Sequence, residues 1–190
     1  MRRGSKILFL CALMLVLTSC VSSSKNAEES AKDIRTLLID SGIVLTAEVK
    51  ADYGERVYDF TLTYDTVTGL IEVKAPEVFE GLTVTVSEEE DSTVLTYDGV
   101  ELDTGPLSED GLSPVSAIPV LIRQWREGYI LESYFETWDS VNALAMRTNI
   151  SDDVVSTSWF DRSTGLPVKS EIASDDQVVI QCIFSGVAIA

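Results

Sequence analysis

The segment Val57 to Tyr64 alternates without a fault: Tyr58, Phe60, Leu62 and Tyr64 fall on one side, and Val57, Asp59, Thr61 and Thr63 on the other. Successive side chains of a strand point to opposite faces, so this pattern demands a sheet with one buried and one solvated face. The alternation returns in Ile71, Val73 and Ala75 against Glu72 and Lys74, and in Leu82, Val84 and Val86 against Thr83, Thr85 and Ser87. Turn chemistry separates the runs. Asp65-Thr66-Val67-Thr68-Gly69 reads as a hairpin loop with Gly69 placed for positive φ, and Asp98-Gly99 as a two-residue turn joining Thr93 to Tyr97 with Val100 to Leu102. The middle of the chain is therefore expected to be an antiparallel meander.

Helical periodicity occurs twice. Ser30 to Ser41 places Ile34, Leu37 and Leu38 on one face, with Gly42 as the stop. After Gly111-Leu112-Ser113-Pro114, the residues Val115, Ile118, Leu121, Ile122 and Trp125 form an apolar stripe ending at Gly128. Ser113 is a candidate cap with Pro114 at the first position. Pro119 either kinks such a helix or marks its true beginning, and a bent or two-piece helix is the expectation. Strands resume at Tyr129. Ala143 to Ile150 and Val154 to Phe160 form one hairpin, Leu166 to Ala173 and Gln177 to Phe184 another. The loop Tyr64-Asp65-Thr66-Val67-Thr68-Gly69-Leu70 is echoed by Phe160-Asp161-Arg162-Ser163-Thr164-Gly165-Leu166, with Asp bonding its own turn and Gly in the left-handed position.

The first residues are of another kind. A basic head (Arg2, Arg3, Lys6) precedes an apolar run of 11 residues from Ile7 to Leu17, too short for a permanent bilayer span, which takes roughly 20 residues. The following Leu17-Thr18-Ser19-Cys20 resembles the lipobox of bacterial lipoproteins, in which the cysteine is acylated and the signal is cut just before it. That resemblance implies a signal peptide over residues 1–19, lipidation of Cys20, a polar tether over 20–29 and one β-rich domain over 30–190.

Composition excludes several activities. The formal charge is -17, and loss of the basic signal makes the rest more acidic still. Phosphate backbones need clustered Lys and Arg, so nucleic acid is not an expected partner. The body gains no electrostatic adhesion to anionic lipid heads either, leaving the acyl group on Cys20 as the membrane attachment. There is no histidine, which removes Ser-His-Asp and Cys-His chemistry and zinc held by His and Cys. The phosphate-cradling glycine motifs are missing. The acidic runs Glu88 to Asp91, Asp152-Asp153 and Asp175-Asp176 lack the spaced oxygens of a calcium loop and read as solvated hairpin tips. No metal, no cofactor and no enzymatic activity are expected. Cys182, within an apolar strand pattern, reads as a small buried hydrophobe.

The aromatic and aliphatic positions allow two readings. As core, Tyr58, Phe60, Leu62, Tyr64, Ile118, Leu121, Trp125 and Phe184 need no further role. As the wall of a curved sheet that one helix cannot cover, the same eight residues would line a small-molecule site.

The order of elements resembles the LolA-like superfamily of lipoprotein carriers and their lipoprotein relatives. The resemblance spans roughly residues 43 to 184 and is strongest in Phe160-Asp161-Arg162-Ser163-Thr164-Gly165-Leu166-Pro167, with Tyr97-Asp98-Gly99 ahead of the Pro-marked helix. It implies an α+β fold: an open half-barrel of curved antiparallel sheet covered by a few helices, with an apolar concave side that in some members receives acyl chains. Two departures stand out. A chain anchored through Cys20 cannot shuttle as a free carrier does, and neither Arg123 nor Arg126 aligns with the arginine that latches the carrier's lid. The resulting expectation is an extracytoplasmic, lipid-anchored protein that binds a lipid or other apolar ligand. The alternative is a structural, interaction or regulatory lipoprotein with no small-molecule ligand.

Overall fold

The computed structural model describes residues 26–39, 44–65, 67–106, 108–114 and 116–190. The signal peptide, Cys20 and the proposed helix stop at Gly42 lie outside the described residues. Eleven strands form one antiparallel sheet in the order β6-β5-β4-β3-β2-β1-β11-β10-β9-β8-β7. The first meander comprises β1 (Leu45–Asp52), β2 (Val57–Tyr64), β3 (Thr68–Ala75), β4 (Thr83–Ser87), β5 (Ser92–Tyr97) and β6 (Val100–Asp103). The second comprises β7 (Tyr129–Trp138), β8 (Val141–Asn149), β9 (Val154–Asp161), β10 (Pro167–Ser174) and β11 (Gln177–Ile189). Their only seam is the antiparallel β1–β11 pair, running from Leu45↔Ile189 to Asp52↔Gln181. β6 and β7 are not paired with each other, so the sheet is open.

A helix over residues 26–39, here α1, starts four residues before the expected Ser30 and takes in the last part of the expected tether. Ala27, Ala31, Ile34 and Leu38 are buried, an i, i+4, i+7, i+11 stripe that explains why this stretch folds onto the sheet. The helix α2 spans Ala117–Glu127 in one piece. This corrects the expectation of a bent or two-piece helix. Pro119 lies in the first turn, where the missing N–H has no intrahelical acceptor to lose. Ser116, not Ser113, occupies the cap position, and its side chain makes no capping bond. Ser113 instead closes the preceding turn, its carbonyl accepting from Ser116 N at 3.1 Å and Ala117 N at 3.0 Å.

The helices and the alternate residues of the strands form one apolar cluster. Trp125 of α2 packs edge-on against Phe160 of β9 and Phe184 of β11, with ring centroids 5.6 and 5.4 Å away. Its indole N–H donates to Ser158 Oγ at 2.7 Å, and Ser158 in turn shares a 2.7 Å bond with Ser170. Small hydroxyl residues on these strands thus leave room for the indole and satisfy its N–H. Cys182 is fully buried, as expected, and burial pushes its thiol up to about 12.

The two echoed loops use the same Asp chemistry and different glycine geometry. Asp65 Oδ1 accepts from the backbone N–H groups of Val67 (2.7 Å) and Thr68 (2.6 Å). Asp161 Oδ1 accepts from Ser163 N (2.7 Å) and its hydroxyl (2.6 Å). Gly165 has the expected left-handed φ of +74°. Gly69 does not: it is an extended residue of β3, and what requires glycine there is the Tyr64 ring, which a Cβ would approach to 2.2 Å.

Candidate functional site

The eight residues proposed as ligand-binding do share one face, and they are interior. Tyr58, Phe60, Leu62, Tyr64, Ile118, Leu121, Trp125 and Phe184 are each at most 7% exposed. Tyr58 stacks on Phe60 at 5.8 Å, and Phe79 closes over Tyr58 at 6.1 Å. Among the eight, Phe60 borders a cavity of about 380 Å3 together with Glu48, Lys50 and Lys74, and Tyr64 borders one of about 360 Å3 between α2 and the β4–β5 hairpin. Tyr58, Phe60, Leu62 and Phe184 belong to the packed sheet surface, and Ile118, Leu121 and Trp125 are the α2 side chains in the same cluster.

The cavity at Tyr64 is built by register. Tyr64↔Gly69, Gly69↔Val86 and Val86↔Thr93 are consecutive cross-strand partners, so these four residues make one row across β2, β3, β4 and β5. Because Gly69 contributes no side chain, the Tyr64 ring lies over it and reaches toward β4. The Tyr64 hydroxyl donates to Glu88 Oε1 at 2.5 Å. Burial, then the bond to Glu88 and its charge, push the Tyr64 phenol well above its ordinary range, so it remains a donor at neutral pH. Pro119 and Val120 of α2 supply the opposite apolar wall, and Arg123 on the next turn stands at the rim with Asp91 and Glu109. Thr93, at the end of the row, is 1% exposed and its hydroxyl has no hydrogen-bond partner.

Two arginines tie the helices together. Arg35 of α1 donates through Nε to Trp125 O (3.2 Å) and through Nη2 to Gly128 O (2.6 Å), capping the C-terminal end of α2. Arg126 of α2 donates to Leu38 O (3.0 Å) near the end of α1 and to Asp65 O (2.8 Å) in the β2–β3 loop. The Arg126 guanidinium also lies 5.4 Å from the Tyr64 ring centroid. α2 is thereby fixed by its C-terminal end, while its N-terminal turn borders the cavity. Sequence reasoning missed these roles, because an arginine whose partners are backbone carbonyls leaves no pattern in the side chains around it.

The opposite face of the second meander carries a separate cluster. Ala143, Ala145 and Trp159 are buried there with Tyr134, Trp138 and Val168 around them. Lys169 Nζ lies 4.4 Å from the Trp159 ring centroid and 5.6 Å from that of Trp138. It also pairs with Glu171 at 2.7 Å, while Trp159 donates its indole N–H to Glu136. Among the described residues, no group of His, Cys, Asp and Glu is arranged to hold a metal ion, and no helix is long and apolar enough to cross a membrane.

No family model matches the chain, and no curated protein is similar to it in sequence. Solved structures do share the fold. An uncharacterized conserved protein from Thermus thermophilus superposes with TM-score 0.58 at 7% identity, over 86% of this chain and 87% of that one. A putative outer membrane lipoprotein-sorting protein domain from Vibrio parahaemolyticus gives TM-score 0.51 at 13% identity, over 86% and 93% of the two chains. A DUF1329 family protein from Desulfovibrio piger gives 0.51 at 10% identity, over 87% and 92%. What these structures share with this chain is the fold, a large open antiparallel sheet with few helices.

Proposed function

We propose that this protein is an extracytoplasmic lipoprotein, anchored through acylated Cys20, that holds an apolar chain between α2 and the concave side of the sheet and performs no catalysis. The observation that carries this reading is the cavity of about 360 Å3. It lies between α2 and the β4–β5 hairpin, with Tyr64 of β2 in its wall. Such a volume lies at the small end of typical ligand sites, so a longer chain requires the N-terminal turn of α2 to lift while its arginine-held end stays in place. The fold shared with a lipoprotein-sorting domain supports the reading as an analogy of architecture.

The test is native mass spectrometry of the exported protein, purified without detergent. A bound mass in the lipid range, released on denaturation, supports the reading. An unliganded mass, together with no change in intrinsic fluorescence on titration with fatty acids or phospholipid monomers, sinks it. One observation favours a second reading, that of an interaction module. The free edge strand β6 leaves Val100 and Leu102, with Tyr97 beside them, largely exposed, and an open sheet edge is a template for adding a strand from a partner. Crosslinking on whole cells that captures a partner on residues 97–103 would select it.

A further inference from the structure

The cavity between α2 and the β4–β5 hairpin has a chemistry more specific than an apolar slot. Thr93 belongs to its inner wall, and the Thr93 hydroxyl is buried and without a partner among the described residues. A buried hydroxyl left unpaired is costly, so the site is incomplete as it stands. Around it are three carboxylates, Glu88, Asp91 and Glu109, against a single guanidinium, Arg123. One Glu88 oxygen is engaged by Tyr64, and the other is left free for a ligand. The phenol in that bond keeps its proton. The field of a chain with net charge -17 adds to the local one.

We propose that this cavity receives the head group of an amphiphile and that the head carries an ammonium. The N–H donors of an ammonium match the free Glu88 oxygen and the lone pairs of Thr93, and its charge is balanced by Asp91 and Glu109 at the rim. The attached chain runs along Val86, Pro119 and Val120. An anionic head would meet three like charges for one favourable one. This inference rests on the reading of the protein as a binder of apolar chains and adds the identity of the polar end.

The full chain, held in phosphatidylcholine nanodiscs with empty nanodiscs as blank, is titrated with octylammonium, octanoate and dihexanoyl-phosphatidylethanolamine, with tryptophan fluorescence as the readout. Octylammonium is expected to saturate and to bind at least tenfold more tightly than octanoate. Thr93→Val and Glu109→Gln should each weaken octylammonium several-fold and leave octanoate unchanged; Glu109 is exposed in a loop, so its variant tests the idea even where Thr93→Val fails to fold. Tighter binding of the phosphatidylethanolamine than of octylammonium assigns the ammonium to a phospholipid head with its phosphate on Arg123, and the reverse order assigns it to a simple amine. Equal affinity for octylammonium and octanoate, or ammonium binding indifferent to both substitutions, overturns the head-group assignment and leaves chain binding standing. No saturable binding of any probe overturns both.

Discussion

The two meanders share a helix-side face of one kind and differ on the other side. One outer row runs Tyr134–Ala145–Trp159–Lys169–Ile183–Lys50–Asp59 through successive cross-strand partners. It is aromatic and largely buried over β7 to β10 and becomes charged after the seam. The outward residues of β2 to β4 are mostly polar, with Asp59, Thr61, Thr63, Glu72, Lys74, Thr83 and Thr85 beside the exposed Val57 and Leu70, the solvated face that period-two alternation requires. β8 instead is buried at four consecutive positions from Ala143 to Met146. The second meander thus has apolar contacts on both faces without a second layer of secondary structure. Lys169 covers the outer aromatics with its stem while keeping its ammonium at their faces and at Glu171.

The strongest challenge to this contrast is to remove one tryptophan from each side. Trp125→Ala on the helix side should cost about 3–5 kcal/mol, because it empties the space between Phe160 and Phe184 and removes one of the two partners of Ser158. Trp159→Ala on the outer side should cost less, about 1–3 kcal/mol, since solvent can enter the gap. Equal losses in urea unfolding would mean that the outer cluster is a core in its own right.

The echoed glycines offer a second comparison. Gly69→Ala should cost about 1–3 kcal/mol through overlap with the Tyr64 ring, and a Tyr64→Leu background should relieve most of that. Gly165→Ala should cost roughly 1–2 kcal/mol through its left-handed φ, with no relief in the same background. A double-mutant cycle showing no coupling between positions 64 and 69 would remove the close approach as the reason for Gly69.

Cys182 probes the seam that joins the halves, where it partners Ala51. Its folded thiol is raised from 9.0 to about 12. Its contribution to stability is therefore fully present below about pH 9 and is lost as pH rises toward 12. Cys182→Ala should remove the onset of that decline near pH 9, while the raised tyrosines sustain the later part. Iodoacetamide should label Cys182 only in step with the loss of tryptophan signal in urea; earlier labelling would show the seam parting before either half unfolds. The smallest expected effect is that of Lys169→Met, within about 1 kcal/mol, measured the same way.

Much of this was legible in the residues because one physical rule governs each strand of the first meander. Val57 to Tyr64 and the Asp98-Gly99 turn were placed correctly, since alternation and positive-φ turn chemistry are local. The inward side of the buried set of eight is legible in the same way. Alternation says that Tyr58 to Tyr64 face inward and cannot say how completely two helices cover them. The β1–β11 pairing was not visible, because its partners are far apart in the chain and nothing in either strand names the other. Pro119 misled because an interior proline and a first-turn proline have the same neighbours in sequence. Thr93 was passed over as one more residue of a strand, and its orphaned hydroxyl emerges only when the register sets it beneath α2.

The placement of the seam has a consequence for the order of folding events. Every other strand pair joins neighbours in the chain, whereas Leu45 must wait for Ile189. A polypeptide emerging from its N-terminal end can assemble the first meander early, with β1 left as a bare edge beside it. That edge stays open to mispairing until the last strand arrives, and closure over such a span is slow. Removing β11 would therefore expose the middle of the finished sheet, not shorten one of its ends.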